Sequence, residues 1–476
     1  MEPLLLNMPG RPRKGDLICF ALSLLLAAGL AFFYKQAVFG VGLLALTFLT
    51  MVTFIQVEIA LFCALVWPFC QYLLTRDLKL LPEFFTLIDE CCLFAIVLYL
   101  AWQLCMGRIR PSFTRFDGAL LAFLGVGLLS AALNRNPTVN TVLGLRCYLQ
   151  YLVLFYALSY LKLSDRFCRL LLHTMLGLVL VQVPLMVLQY FTWTPSSLVN
   201  DHADSAYGTL SFGSANMLGM LMLVFIFYLI KMRQHLPALF TGPALVACAF
   251  ALVISHSKVS FLFLLLLLLY NNLSLIRTRV SLTEIMGIML GLALLVKIAL
   301  LVSSDISNLL SRDSFMALIA NQIEDKEGGG RIMYLLLTFT VLVKYAFSPL
   351  LGLGPGMYSS YAGISLKSRY LVDILGVDLE RRGTRLDPDL IGVLGEYGYL
   401  GLLFFSAALA ILFLRNYQAR LSRSPYWSGY ADWFKLFTIV FYLGAFVNGL
   451  WQAQYFAVTY WVAAGILNRK YLEASR

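Results

Sequence analysis

Charge is scarce in this chain. Asp, Glu, Lys and Arg make up 13% of its 476 residues against 60% hydrophobic residues, and the mean hydropathy is +0.81. Soluble domains carry about twice that share of charge, so a soluble globular class is excluded. Histidine is scarcer still: His173, His202, His235 and His256 are scattered along the chain. The nine cysteines lie in or beside apolar segments, and none falls in the longest polar region, between Asp305 and Pro388. That pattern gives no disulfide framework and no metal-ligand spacing, so neither a metal nor a cofactor is expected. No small-residue cleavage site follows the basic residues Arg11, Arg13 and Lys14, so the first apolar run is expected to be a retained helix. No Lys-Ser or Lys-Thr follows the glycine clusters, which excludes a Walker-type phosphate loop. Nucleic acid is not among the expected partners.

What is present is a series of long apolar runs, such as Leu17–Phe33, Cys168–Phe191, Leu210–Ile230 and Val259–Ile276. Each is long enough to cross a bilayer, and none alternates polar with apolar as a barrel strand does. The expected fold is an all-α polytopic membrane protein of about 14 transmembrane helices. The spans fall at 17–34, 36–54, 57–74, 86–105, 117–133, 142–161, 168–192, 210–230, 238–255, 259–276, 284–303, 389–413, 434–450 and 453–468.

With the N-terminus in the cytoplasm, the short inner loops collect Arg108, Arg110, Lys162, Arg166, Lys231, Arg277, Arg279, Arg415 and Arg420. The short outer loops hold only Lys35, Arg76, Lys79, Arg135 and Lys258, which is the positive-inside asymmetry. The expected organisation is a cytoplasmic N-terminus (1–16), an N-terminal bundle (17–303), a long outer loop (304–388), C-terminal spans (389–468) and a cytoplasmic C-terminus (469–476). The apolar piece Ile332–Phe347 is about 24 Å long as a helix, short of a bilayer core of about 30 Å. It is expected to be re-entrant or interfacial, with Leu309–Asp325 as an amphipathic helix before it. No pair of broken helices in an internal repeat stands out, which weakens a transporter reading.

The outer loop holds the segment GGGRIMYLLLTFTVLVKYAFSPLLGLGPG, Gly328 to Gly356. Gly330 followed by Arg331 puts a side-chain-free turn and a guanidinium at a helix start, where backbone amides and a bidentate donor suit a phosphate. Gly352, Gly354 and Gly356 let a second stretch of backbone approach the same anion. The competing reading is a flexible hinge around a surface helix. Lys258, in ISHSK, is a second phosphate contact or a snorkelling lysine. In RLDPDLIGVLGEYGYLG, Asp387 and Asp389 stand where the chain re-enters the membrane, as functional acids or as helix caps. Glu396 lies about two turns further in, where an acid faces a partner or a polar cavity. Arg381, Arg382 and Arg385 crowd the same point. Arg146 is expected to pair with an acid such as Asp89. The polar loop before Asn216 lines a pocket or is merely solvated.

Five segments occur in order between Gly208 and Gly401: YGTLSFGSANMLGML, ISHSKVSFLFLL, GGGR, SPLLGLGPG and DPDLIGVLGEYGYLG. Together they resemble the bacterial O-antigen polymerase and O-antigen ligase family. The resemblance implies a GT-C-like membrane glycosyltransferase of the inner membrane, with its active site on the periplasmic side. It implies transfer of a glycan from polyprenyl pyrophosphate to an acceptor hydroxyl without a metal ion. The implied partners are the lipid-linked glycan, an acceptor glycan, the bilayer and a chain-length regulator.

Carried over by residue, the helix-opening arginine of the family falls on Arg331. Lys258 stands where the family has an arginine, which keeps the charge and loses the bidentate fork. Asp387 stands where the ligases have a histidine, which favours a polymerase over transfer to a lipid or protein. In this reading Arg331, Lys258 and the amides of the glycine run hold the pyrophosphate, and Asp387 orients or deprotonates the acceptor. Asp389, Glu396, Arg382 and Arg385 hold that base and the glycan, with Asn216 and Arg146 further substrate contacts. An anion transporter or flippase is the reading from another class.

Overall fold

The structure, a computed structural model, describes residues 37–192, 206–210, 214–255, 257–276, 331–368, 388–415 and 417–474. The expected spans 17–34 and 284–303 and the amphipathic helix Leu309–Asp325 lie outside the described residues. So do Gly330, Arg382, Arg385 and Asp387, and the side chains of Lys258 and Arg331. Every regular element among the described residues is a helix. Six are long and apolar enough to cross a membrane: Val57–Asp77, Phe85–Cys105, Arg115–Leu133, Asp165–Thr192, Ala215–His235 and Asp389–Leu414. The chain is a multi-pass helical membrane protein.

The helices divide between two compact units. The first contains α1 (Ala37–Ile55), α2 (Val57–Tyr72), α3 (Ile88–Cys105), α6 (Leu152–Tyr160), the start of α7 (Asp165–Thr192) and the end of α16 (Gln454–Glu473). Aromatic edges close α1 on α3, with Phe54 5.4 Å from Tyr99. The buried Asp89 carboxylate accepts from Tyr151 Oη at 2.9 Å. Lys470 ties α16 to Asp165 at the start of α7, and Asn468 donates to Ser159 at 2.9 Å.

The second unit contains α4 (Arg115–Leu133), α5 (Thr138–Leu149), α8 (Ala215–Met232), α9 (Ala238–Ile254) and α10 (Lys258–Ile276). It continues with α11 (Arg331–Tyr345), α12 (Tyr361–Ser365), α13 (Asp389–Leu414), α14 (Tyr417–Leu421) and α15 (Pro425–Gly444). Thr114 opens α4 with a capping box, its side chain and amide exchanging bonds with Asp117. The apolar helix α8 is buried almost throughout, between α9 and α15, and Trp433 Nε1 donates to the Val224 carbonyl at 2.9 Å. α4 lies along α13, with the Phe123 and Tyr397 rings stacked 4.3 Å apart.

Four expected boundaries move. The span expected at 142–161 is two helices, α5 and α6, parted at Gln150–Tyr151, where Tyr151 turns inward to reach Asp89. The helix expected from 210 starts at Ala215, because the turn Tyr207–Leu210 is clamped beforehand. Gln189 brackets Gly208 with two bonds of 2.7 Å, and Gln182 Oε1 accepts from the Thr209 amide at 2.8 Å. The span expected at 434–450 starts at Pro425, a residue preset for a first helical turn, and ends at Gly444. The span expected at 389–413 is broken at Gly398, with φ 66°.

Candidate functional site

The break in α13 creates the site's frame. A helix interrupted inside a membrane leaves carbonyls and amides without intrahelical partners, and these must be satisfied nearby. Here the loop Ser348–Ser360 satisfies them. The carbonyls of Gly395 and Glu396 accept from the Leu353 and Gly354 amides at 2.9 and 2.8 Å. Beyond the break, the Tyr399 and Leu400 amides donate to the Pro349 and Leu350 carbonyls at 3.3 and 3.0 Å. Gly352, at φ 77°, lies backbone to backbone with Gly398, and a Cβ on Gly352 would stand 2.5 Å from the Gly398 nitrogen. Both glycines are required, by left-handed φ and by contact.

Glu396 fixes the rest of the loop. Its carboxylate is fully buried. One oxygen accepts from the Gly356 amide at 2.9 Å, and the other from the Tyr358 and Ser360 amides at 3.2 and 3.1 Å. The opposite edge is held by amide and hydroxyl side chains. Ser130 Oγ and Asn134 Nδ2 each donate to the Gly352 carbonyl at 3.0 Å, Asn136 to Leu353 at 2.7 Å and Asn140 to Gly356 at 3.3 Å. Asn134 also accepts from the Phe347 amide at 3.0 Å.

This corrects the sequence reading of the glycine run. The amides of Gly352, Gly354 and Gly356, assigned there to a bound anion, donate instead to Ser348, Glu396 and the Glu396 carboxylate. Of these three, only the Gly356 amide meets a carboxylate, and that carboxylate is internal. On this side of the helix the hinge alternative does not describe the chain, because residues 352–360 are buried and bonded along both edges.

Gly144 on α5 lies directly against the backbone of this loop. A Cβ there would fall onto the backbone of Pro355 and Gly356, which cannot rotate aside. Gly144→Ala is therefore expected to cost about 1–3 kcal/mol or more by overpacking. The thermal midpoint of the detergent-purified protein should fall by several degrees, and an unchanged midpoint would mean that α5 does not seat the loop this tightly.

Asp389 anchors the next segment. Its side chain accepts from the Trp451 amide and, at 3.0 Å, from Gln452 Nε2. Gln452 also donates to Tyr148 Oη at 2.8 Å and accepts from the Tyr361 amide at 3.0 Å, so it joins four segments. Ser359 Oγ lies beside this cluster, buried and with no hydrogen-bond partner among the described residues. Asp389 thus works as a cross-brace and not only as a helix-start acid. Asp387 precedes this fixed residue by two positions.

α11 rests on the same loop. Val341 and Leu342 pack with Leu353, Met357 and Tyr358 of the loop and with Ile391 and Leu394 of α13. Thr338 Oγ1 and Tyr358 Oη are 2.9 Å apart. Arg331 is the first residue of this helix.

A second pairing joins two more of the sequence segments. Gly219 of α8 lies against Ser255 and Ser257, and Ser257 Oγ donates to the Asn216 carbonyl at 3.3 Å. Lys258 follows at once as the first residue of α10. The observed role of Asn216 is thus a backbone one. Arg146 is half-buried in the last turn of α5.

The sequence reading missed Gln182, Gln189, Gln452 and the three asparagines. The run NRNPTVN, with Asn134, Asn136 and Asn140 at a span's end, was the available signal. No family model matches this chain, and no curated protein matches it.

Proposed function

We propose that the protein is a membrane glycosyltransferase that polymerises polysaccharide repeat units, moving a glycan from polyprenyl pyrophosphate to an acceptor sugar hydroxyl. One observation carries the reading most. The helix opened by Arg331 and the helix entered just after Asp387 are both fixed to the Ser348–Ser360 loop within one unit. Group transfer requires a cation for the departing pyrophosphate and a carboxylate for the incoming hydroxyl to be held in fixed relation, and a loop shared by the two helices suits that requirement.

In this mechanism Arg331 and Lys258, each opening a helix, stabilise charge on the leaving pyrophosphate. The Asp387 carboxylate accepts the acceptor's proton while the sugar C1–O bond to pyrophosphate breaks and the new glycosidic bond forms. Glu396 and Asp389 act through the frame rather than on substrate. In this reading the site faces the periplasm from the bacterial inner membrane and both termini are cytoplasmic, in keeping with the excess of basic residues in the loops assigned to the inside.

The test is a polysaccharide gel of cells lacking the gene, complemented with wild type or Asp387→Ala. Loss of the ladder to a single capped repeat, restored by wild type and not by Asp387→Ala, is the expected result. A full ladder stranded on the lipid carrier means a ligase instead.

The broken helix at Gly398 favours a second reading, transport of an anionic solute or of the lipid-linked sugar, since discontinuous helices often form transporter sites. It is the weaker of the two, because Glu396 beside the break is already engaged by three amides. Flipping or uptake by the purified protein in liposomes, with glycan length unchanged in the deletion strain, would establish it.

A further inference from the structure

A separate basic cavity lies in the first unit, at the turn between the spans Val57–Asp77 and Phe85–Cys105. Its volume is about 600 Å³, and Thr75, Arg76, Lys79, Leu80, Leu81 and Pro82 line it. α2 does not end in an ordinary turn here. It widens into a π-helical turn, Leu73–Asp77, a form that often marks functional positions. Two carbonyls of this helix end are bonded within the turn: the Leu73 carbonyl accepts from Leu78, and the Leu74 carbonyl from both Leu80 and Leu81. Lys79 holds a left-handed φ of 49°, uncommon for a residue with a side chain.

Neither Arg76 nor Lys79 has an acid within ion-pair distance among the described residues. Asp77 is exposed in the same turn and does not line the cavity. The guanidinium of Arg76 sits 5.5 Å from the centre of the Tyr72 ring, which steadies it without neutralising it. Leu78 and Leu80 stand 54% and 67% exposed beside these two cations, so charge and apolar surface adjoin at the end of a span.

We propose that this cavity binds the phosphate of an anionic glycerophospholipid headgroup. Arg76 and Lys79 hold the phosphodiester oxygens, and Leu80 and Leu81 lie against the glycerol and the first carbons of the chains. A soluble phosphate would satisfy the cations but would leave those leucines in water, which favours the lipid. The inference does not depend on the glycosyl-transfer reading.

The test uses the full-length protein in detergent, titrated with phosphatidylglycerol or phosphatidylcholine and read by native mass spectrometry. Wild type should retain phosphatidylglycerol in preference to phosphatidylcholine. Arg76→Gln/Lys79→Gln should weaken phosphatidylglycerol binding about tenfold or more, through loss of two charge-assisted contacts, with phosphatidylcholine unaffected. Arg76→Lys/Lys79→Arg, which keeps both charges, should retain the preference, and monodisperse elution of both variants controls for folding. Equal binding of the two lipids by wild type, undiminished phosphatidylglycerol on the Gln variant, or loss on the charge-preserving variant would each overturn the proposal. Displacement of phosphatidylglycerol by millimolar inorganic phosphate would reassign the cavity to a soluble anion.

Discussion

Glu396→Gln is expected to loosen the whole loop Gly354–Ser360 and to lower the amount of folded protein. The carboxylate offers acceptors on both oxygens, and all three amides that face it use them. A glutamine keeps one oxygen and presents an NH2 group in place of the other. Either the Gly356 amide or the Tyr358 and Ser360 pair would then meet a donor. Each orphaned amide costs about 1–3 kcal/mol in a buried site. Hydrogen exchange across 354–360 should accelerate about 10–100-fold, with a lowered thermal midpoint and loss of polymer in cells. Unchanged exchange in that stretch would show that Glu396 does not hold the loop.

Arg331→Ala should behave in the opposite way, losing function while keeping the fold. Arg331 is the first residue of α11, and that helix is held to the loop further along, through Leu335, Val341 and Leu342. Removing a group that stabilises leaving-group charge costs roughly 100–1,000-fold in rate, by analogy with single oxyanion donors. The long-chain ladder should vanish at normal protein level, and Arg331→Lys should restore part of it, because charge survives without the bidentate fork. Wild-type polymer from Arg331→Ala at equal protein level would sink the proposed function.

The two variants also show what was legible in the sequence. Apolar runs fixed most helices to within a few residues: 117–133 was expected and Arg115–Leu133 is observed, and 238–255 was expected where Ala238–Ile254 stands. Hydropathy reports length and burial, so it finds spans. It does not report a break that costs only a glycine, and so α13 was read as continuous through Gly398. The amides of Gly352, Gly354 and Gly356 were given to an anion and are bonded within the chain instead. Amides have no sequence signature, and what they bond to is set by a carboxylate 36 to 40 residues away. Asp389 was picked for its place where the chain re-enters the membrane, and Glu396 because an acid within a span faces a partner or a polar cavity. The partners turned out to be backbone groups and Gln452, which a sequence cannot name before the chain is folded.

The loop's two edges are also made at very different times. Ser130, Asn134, Asn136 and Asn140 are synthesised 216 to 222 residues before the carbonyls they bind. At about 5–20 residues per second, that interval is roughly 10–45 s. Throughout it, three carboxamides and a hydroxyl at the end of a finished span wait without these partners, in or beside a medium that offers few others. The last edge arrives only with Glu396. The frame therefore closes late in synthesis, once the segment that carries Glu396 has been made.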